Sequence, residues 1–175
     1  MSVTARGFIE ALYPKSRDWW CVAKIHFYGN VPVYSVLAHP WEKWSPEEGN
    51  PAPVVPPKGF PEDASLIATH EAAYYVEDEP EDGLTITPQQ AEEWKCRPYK
   101  PGYVLKPDIR CTTWLTLAEV EKAVALYVED RRAAKAKNLR SEELDGIAAM
   151  MRAIEQSGPV LDGVSTVSRL VMVFD

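Results

Sequence analysis

The stretch Asp108-Ile109-Arg110-Cys111-Thr112-Thr113-Trp114-Leu115-Thr116-Leu117-Ala118-Glu119-Val120 decides the fold. Its first half, Arg110 to Leu115, reads as the end of a β-strand. Its second half opens a helix, because Thr116 can cap through its hydroxyl while Glu119 reaches back to the Thr116 amide, a reciprocal capping box. A strand that turns directly into a helix leaves free backbone N–H groups and the positive end of a dipole at the joint. Asp108, Arg110, Thr112 and Thr113 cluster just before it. The joint is therefore the first place to look for a binding site; without a ligand it is simply a well-made junction.

Working outward, Val3 to Tyr13 and Trp19 to Tyr28 are rich in β-branched and aromatic residues, separated by the turn chemistry of Pro14 to Asp18. They predict an N-terminal β-hairpin. In its second strand Trp19, Cys21, Ala23, Ile25 and Phe27 share the more apolar face, which is expected to meet the core. Val31 to Trp41 has a helical repeat bounded by Pro32 and Pro40. Seven prolines lie between positions 40 and 61. Proline lacks the amide donor and fixes φ, so this segment is expected to be a long stiff loop, with Trp41, Trp44 and Phe60 to pack it down or close it as a flap over a ligand.

Ala64 to Thr69 reads as a turn, Glu71 to Val76 as a strand or a helix end, and 77–83 as an acidic solvated loop. Thr87-Pro88-Gln89-Gln90 has the form of a cap, a first-turn proline and a capping-box glutamine. Tyr99 to Gly102 reads as a turn, and Tyr103 to Thr113 as a strand interrupted by Pro107, the mark of an edge strand or a bulge. Beyond the joint, Leu117, Val120, Val124, Tyr127 and Val128 share a helix face. A second helix capped by Ser141 carries Leu144, Ile147, Met151 and Ile154, with Met150 and Met151 as core filler. Val164 to Phe174 ends the chain as a strand apolar enough to be central and buried on both faces. The pattern is α+β: a mixed or antiparallel sheet with an N-terminal β-hairpin, packed by two to four helices, in a single domain over 1–175.

Composition narrows the function. The chain has 175 residues and a formal charge of −7. That balance argues against a general nucleic-acid binder but leaves room for a local basic pocket. An acidic surface also suits a protein that blocks a protein partner. No apolar run approaches the ~20 residues of a membrane helix. The first ten residues lack the layout of a signal peptide. The three cysteines and three histidines are scattered, without metal-ligand spacing. No metal or cofactor is expected, and the thiols fit a reducing cytoplasm.

Several short motifs carry a resemblance: Asn30 with Leu37-Ala38, Pro57-Lys58-Gly59-Phe60-Pro61 with Asp63 and Ser65, Thr113-Trp114-Leu115-Thr116, and Phe174-Asp175. In this order the chain resembles a family of uncharacterised proteins of tailed phages and some bacteria. Its members open Met-Gly-Cys-Asp-Ile-His, with a Glu four residues after the His. They continue with Arg-Asn-Tyr before a short helix ending in Leu-Ala, a Pro-Arg-Gly-Leu-Pro loop, a His-Ser-x-Ser-Trp-Leu-Thr joint and a final strand ending Phe-Asp. The resemblance spans the whole length. It departs at the opening, where Val3, Thr4 and Arg6 replace Cys, Asp and His while Glu10 is kept. The histidine before the joint becomes Arg110 or is absent, depending on alignment. Arginine stays protonated near neutral pH, so it cannot replace histidine in acid–base work, but it can clamp a phosphate.

The resemblance therefore implies a phage-type counter-defence protein in the host bacterial cytoplasm, holding a nucleotide-like, cyclic or linear signal without catalysis. The residues expected to bind are Arg6, Lys58, Asp108, Arg110, Thr112, Thr113, Trp114 and Thr116, with Tyr34, Trp44 or Trp114 stacking on a base. Two alternatives stand beside it. One is an acidic inhibitor of a bacterial defence protein, using the run from Glu77 to Asp82. The other is a phosphodiesterase or transferase built from His26, His39 or His70 with Glu10 or Asp108, though nothing in the sequence places those residues together. Exposed strand edges are compatible with a homodimer.

Overall fold

The final strand is at the centre of the sheet that the rest of the molecule packs against. In the computed structural model, which describes residues 4–27, 37–38, 53–80, 83–133 and 142–175, four antiparallel strands form the main sheet. They are β1 (Ala5–Leu12), β2 (Trp20–Phe27), β7 (Cys111–Thr116) and β10 (Val167–Phe174), in the order β2-β1-β10-β7. The architecture is α+β, as the patterning predicts, and the N-terminal hairpin is β1–β2. Every residue of β10 from Ser168 to Phe174 is buried, because both faces of the sheet are covered.

One face is covered by two helices, α3 (Leu117–Ala133) and α4 (Glu142–Ser157). Leu144, Ile147, Ala148 and Met151 of α4, with Val120 and Ala123 of α3, meet Ile9, Leu115, Leu170, Met172 and Phe174 of the sheet. The side chains of Tyr127 and Val128, and all of Ser141, lie outside the described residues. Met151 is fully buried, but its neighbour Met150 is 42% exposed. That corrects the expectation that both fill the core: consecutive helical residues differ by about 100° around the axis, and only one can face the sheet. Gly7 faces this layer too. A Cβ there would meet the Phe27 ring at 3.0 Å and the Met172 sulfur at 3.2 Å, side chains of strands β2 and β10 that would have to give way to it.

The opposite face is covered by α1 (Leu66–Ala72) and a second sheet. That sheet joins β3 (Ala73–Val76), β4 (Thr85–Ile86), β5 (Arg97–Lys100) and β6 (Tyr103–Leu105) in the order β4-β3-β6-β5. Phe8, Val171 and Val173 of the main sheet pack here against Ala68, Ala72, Ala73, Leu105 and Ile109. The segment Ala64 to Thr69, read as a turn, instead enters a helix capped by Ser65, whose hydroxyl accepts from the Ala68 amide at 3.3 Å. Tyr99-Lys100 is not turn but strand. The turn is Pro101-Gly102, with Gly102 at φ +77°, and it folds β5 onto β6. Pro107 separates β6 from β7, so the strand expected over Tyr103 to Thr113 is two strands in two different sheets. Similarly, Val164-Ser165 is a separate short strand, β9, paired with β8 (Val160–Leu161) ahead of β10.

Both predicted capping boxes form. At the joint the Thr116 amide donates to Glu119 Oε2 at 2.8 Å, and the Glu119 amide to Thr116 Oγ1 at 3.4 Å. In α2 (Pro88–Glu93) Thr87 and Gln90 exchange the same pair of bonds. β7 is an edge strand of its sheet, as expected.

One irregularity positions everything that follows. Between Ile9 and Glu10 the register to β2 shifts, so Ile9 faces Ala23 and Glu10 faces Cys21. Val22 is the extra residue of a β-bulge. Ala23, Ile25 and Phe27 keep the helix-covered face that the alternation predicts. Beyond the bulge Cys21 packs on the other face. Trp19 goes with it, against the expectation from strict alternation.

Candidate functional site

The register places four residues in one row across the sheet: Cys21, Glu10, Arg169 and Thr116. The two in the middle carry charge inside strands that are otherwise apolar. Glu10 is 0% and Arg169 4% exposed, so each must be answered within the protein. Arg169 Nε donates to Glu10 Oε2 at 2.8 Å. The other Glu10 oxygen accepts from the Ser65 amide at 2.8 Å, which ties the start of α1 to the sheet. Arg169 Nη1 reaches Asp63 Oδ1 at 2.7 Å, and Nη2 the Asp63 carbonyl at 3.0 Å.

Two indoles complete the group. The Trp19 ring lies 3.9 Å from the Arg169 guanidinium carbon, and its Nε1 donates to Asp63 Oδ2 at 3.0 Å. Trp114 is 6.0 Å from that carbon, and Lys58 Nζ is 3.9 Å from the Trp114 centroid. A cation thus follows an aromatic ring twice in succession, from Trp19 to the joint. Lys58 ends the series in an ion pair with Glu119 at 2.7 Å. Burial alone raises the Asp63 carboxyl, but the Arg169 hydrogen bond and charge, with the Trp19 bond, bring it below its ordinary value. Glu119 follows the same logic: burial raises it, and Lys58 with the Thr116 amide outweighs that.

Beside Asp63 and Trp19 opens a groove of about 670 Å³, bounded by the start of β2, the segment from Glu62 to Ile67 and the β5–β6 hairpin. Trp20, Leu66 and Ile67 present apolar surface there, at 59%, 65% and 52% exposure. Arg17, Asp18, Glu62 and Lys100 are its charged lining together with Asp63. Lys100 Nζ donates to the Glu62 carbonyl at 3.0 Å and lies 5.1 and 5.0 Å from the Tyr99 and Tyr103 rings. Burial lowers its pKa, against the raising influence of Asp63 and Glu62. Burial also pushes the Tyr99 phenol up; its hydroxyl donates to the Pro61 carbonyl, and Phe60 packs edge-on against it at 5.0 Å. The described end of the Pro-rich segment therefore packs onto the groove's wall.

The residues expected to form one site at the joint are spread over the molecule. Arg6 is opposite Val173, which is opposite Thr112. That row is four residues from the Glu10 row along β1, about 13 Å at ~3.3 Å per residue. Arg6 Nη1 and Nη2 are each 3.2 Å from carboxylate oxygens of Glu71 and Asp175, and Lys24 shares Glu71. Arg6 Nε and Asp175 Oδ1 are buried without a hydrogen-bond partner. Arg110, exposed, has its amide on the Phe174 carbonyl at 2.7 Å, at the Arg6 end of the sheet. Thr116 belongs to the other end, and Trp114, in the row of Val171 and Phe8, lies midway.

Thr113 is fully buried and Thr112 nearly so, while the Lys58 amide donates to Thr113 Oγ1 at 3.2 Å. Thr116 is engaged in its capping box, and Asp108 is exposed in the link before β7. Tyr34 and Trp44, with the expected helix over Val31 to Trp41 apart from Leu37-Ala38, lie outside the described residues. The guanidinium that meets an indole beside the joint is Arg169, which sequence reading passed over. Its signal was available: one arginine in Ser168–Phe174 and one glutamate in Phe8–Leu12 are opposite charges in two strands too apolar to carry either alone.

For the enzymatic alternative, both Glu10 oxygens are occupied, His26 is exposed on β2, and His70 closes α1. His39 lies outside the described residues. Among the described residues no three His, Cys, Asp or Glu side chains are placed to hold a metal ion. No described helix is long and apolar enough to cross a membrane. No protein-family model, curated protein or solved structure matches the chain.

Proposed function

We propose that the protein captures a small, ring-bearing, nucleotide-like ligand in the groove beside Trp19 and Trp20 and releases it unchanged. In the tailed-phage setting implied by its motifs, such capture would withhold the nucleotide signal of a bacterial defence system. One observation carries the reading: the Trp19 indole, laid on Arg169 and bonded to Asp63, lines a groove that sits on the Asp63–Arg169–Glu10 network. The groove's volume falls within the range of small-molecule sites, and an indole stacked on a base contributes about 1–3 kcal/mol. Lys100 and Arg17 supply positive charge at the same opening.

Isothermal titration of the protein against cyclic and linear nucleotides tests this. Binding tighter than millimolar is expected for at least one of them, weakened roughly 5- to 100-fold by Trp19→Ala. The ligand should be recovered intact after the protein is denatured. Silence across the panel ends the proposal.

The reading as a protein-directed inhibitor draws on the same surface. Trp20, Val22, Leu66 and Ile67 are all exposed, and β2 is an outer strand of its sheet. A co-purifying host protein lost on Trp20→Ala, with no nucleotide bound, would favour it.

A further inference from the structure

We infer that the groove sorts its ligands by charge, taking a ring system whose phosphate is a diester, with one negative charge, in preference to terminal di- or triphosphates. This rests on the nucleotide-like reading above and specifies the class within it.

The argument is one of charge balance. The described lining carries Asp18, Glu62 and Asp63 against Arg17 and Lys100. Arg169 beneath answers Asp63, but it also answers Glu10, so including the floor leaves four carboxylates facing three cations. A polyanion entering this space meets a field of its own sign in a partly desolvated setting, where repulsion is stronger than in bulk water. A single phosphate charge can be matched by Lys100, whose Nζ has one protein acceptor, the Glu62 carbonyl, and two aromatic rings beside it. Further phosphates would have to pass Asp18 or Glu62.

The same carboxylates suit the rest of such a ligand. The Asp63 side chain is 63% exposed, yet fixed by Arg169 and the Trp19 indole. A fixed carboxylate oxygen is a strong acceptor for the amino groups of a base or the hydroxyls of a sugar. The Trp19 indole, bonded to Asp63 and lining the groove, offers the aromatic surface beside it. The groove therefore combines an aromatic face, acceptors held in place and one accessible ammonium, which is the complement of a nucleobase with a singly charged phosphate.

The test is isothermal titration of the full chain with four adenine and four guanine ligands: the 3′,5′-cyclic monophosphate, a cyclic dinucleotide, the 5′-monophosphate and the 5′-triphosphate. The expected result is that at least one diester binds ten-fold or more tightly than the triphosphate of the same base. The gap should shrink as salt is raised from 50 to 500 mM, roughly from a Debye length near 14 Å to one near 4 Å. The double variant Asp18→Asn, Glu62→Gln should narrow the gap at low salt, with circular dichroism confirming that it is folded. A triphosphate that binds as well as the diesters, or more weakly as salt rises, overturns the charge rule while leaving nucleotide capture standing. A gap unchanged in the folded double variant also overturns it. If none of the ligands binds, both readings fall together.

Discussion

Two arginines on the same face of the main sheet, in neighbouring strands, meet their carboxylates in different ways. Arg169 is 4% exposed, bound to Glu10 and Asp63, and covered by an indole. Arg6 is 18% exposed, and the Glu71 that it shares with Lys24 is 33% exposed. The first arginine is bound to a fully buried glutamate, with Asp63 and the Trp19 ring closing over it. The second belongs to a wetter cluster in which charges can be exchanged with solvent. The contrast teaches that a guanidinium's role follows from its surroundings: Arg169 organises a groove from beneath, and Arg6 closes one end of the sheet.

Breaking the buried pair should have the largest effect. Glu10→Ala leaves Arg169 without its carboxylate in a dry setting, and a loss of about 3–5 kcal/mol is expected in urea denaturation. The double variant Glu10→Leu, Arg169→Met removes both charges and should recover much of that loss. If the double variant is less stable than Glu10→Ala, the network contributes more than pairing. Arg6→Ala should cost only about 1 kcal/mol, given its partial exposure and the second cation on Glu71. Equal losses for Arg6→Ala and Glu10→Ala would erase the contrast.

Lys58→Ala removes an ion pair and a cation–π contact at the rim of the same network, about 1 kcal/mol in the same measurement. The smallest effect is a pH dependence. Asp63 and Glu71 both ionise more readily in the folded chain than their ordinary values of 3.8 and 4.5. Arg169 and Trp19 outweigh burial at Asp63, and the Lys24 bond is the largest influence at Glu71. A depressed carboxyl stabilises the fold fully above its unfolded pKa, and that contribution fades as pH falls through the folded one. Melting temperature should therefore drop as pH is lowered below about 4.5, and the slope should be shallower in Asp63→Asn.

The main sheet and its helix-covered side were legible because their signals are local or strictly periodic. The Thr116–Glu119 and Thr87–Gln90 boxes close within four residues, and the stripe Leu144, Ile147, Met151 has one period throughout. The apolar run Leu170 to Phe174 could only be a strand covered on both sides. The second sheet was legible only in pieces: strand was expected from Tyr103 and as one reading of Glu71 to Val76, but Arg97–Lys100 and Tyr103–Leu105 are three or four residues long and polar in part, and their pairing left no signal. Their partner strand β3 comes from a segment more than twenty residues earlier. The network around Arg169 was missed for a related reason. Strict alternation put Trp19 in the core, and only the bulge at Val22 turns it toward Arg169. Arg6 and Arg110 stood out in sequence because they lie beside recognisable motifs, whereas Arg169 was hidden in an apolar strand and its meaning depends on Glu10, 159 positions away.

That separation has a consequence for how the protein comes to exist. β10 inserts between β1 and β7, yet it is synthesised after every other element described. Until it emerges, the main sheet has a vacant centre, Glu10 has no cation, and Asp63 and Trp19 have nothing to grip. A nascent chain can shape its helices and its hairpins early, but the groove's floor arrives all at once with β10, so chains cut short upstream of Arg169 would carry most of the residues and none of the groove.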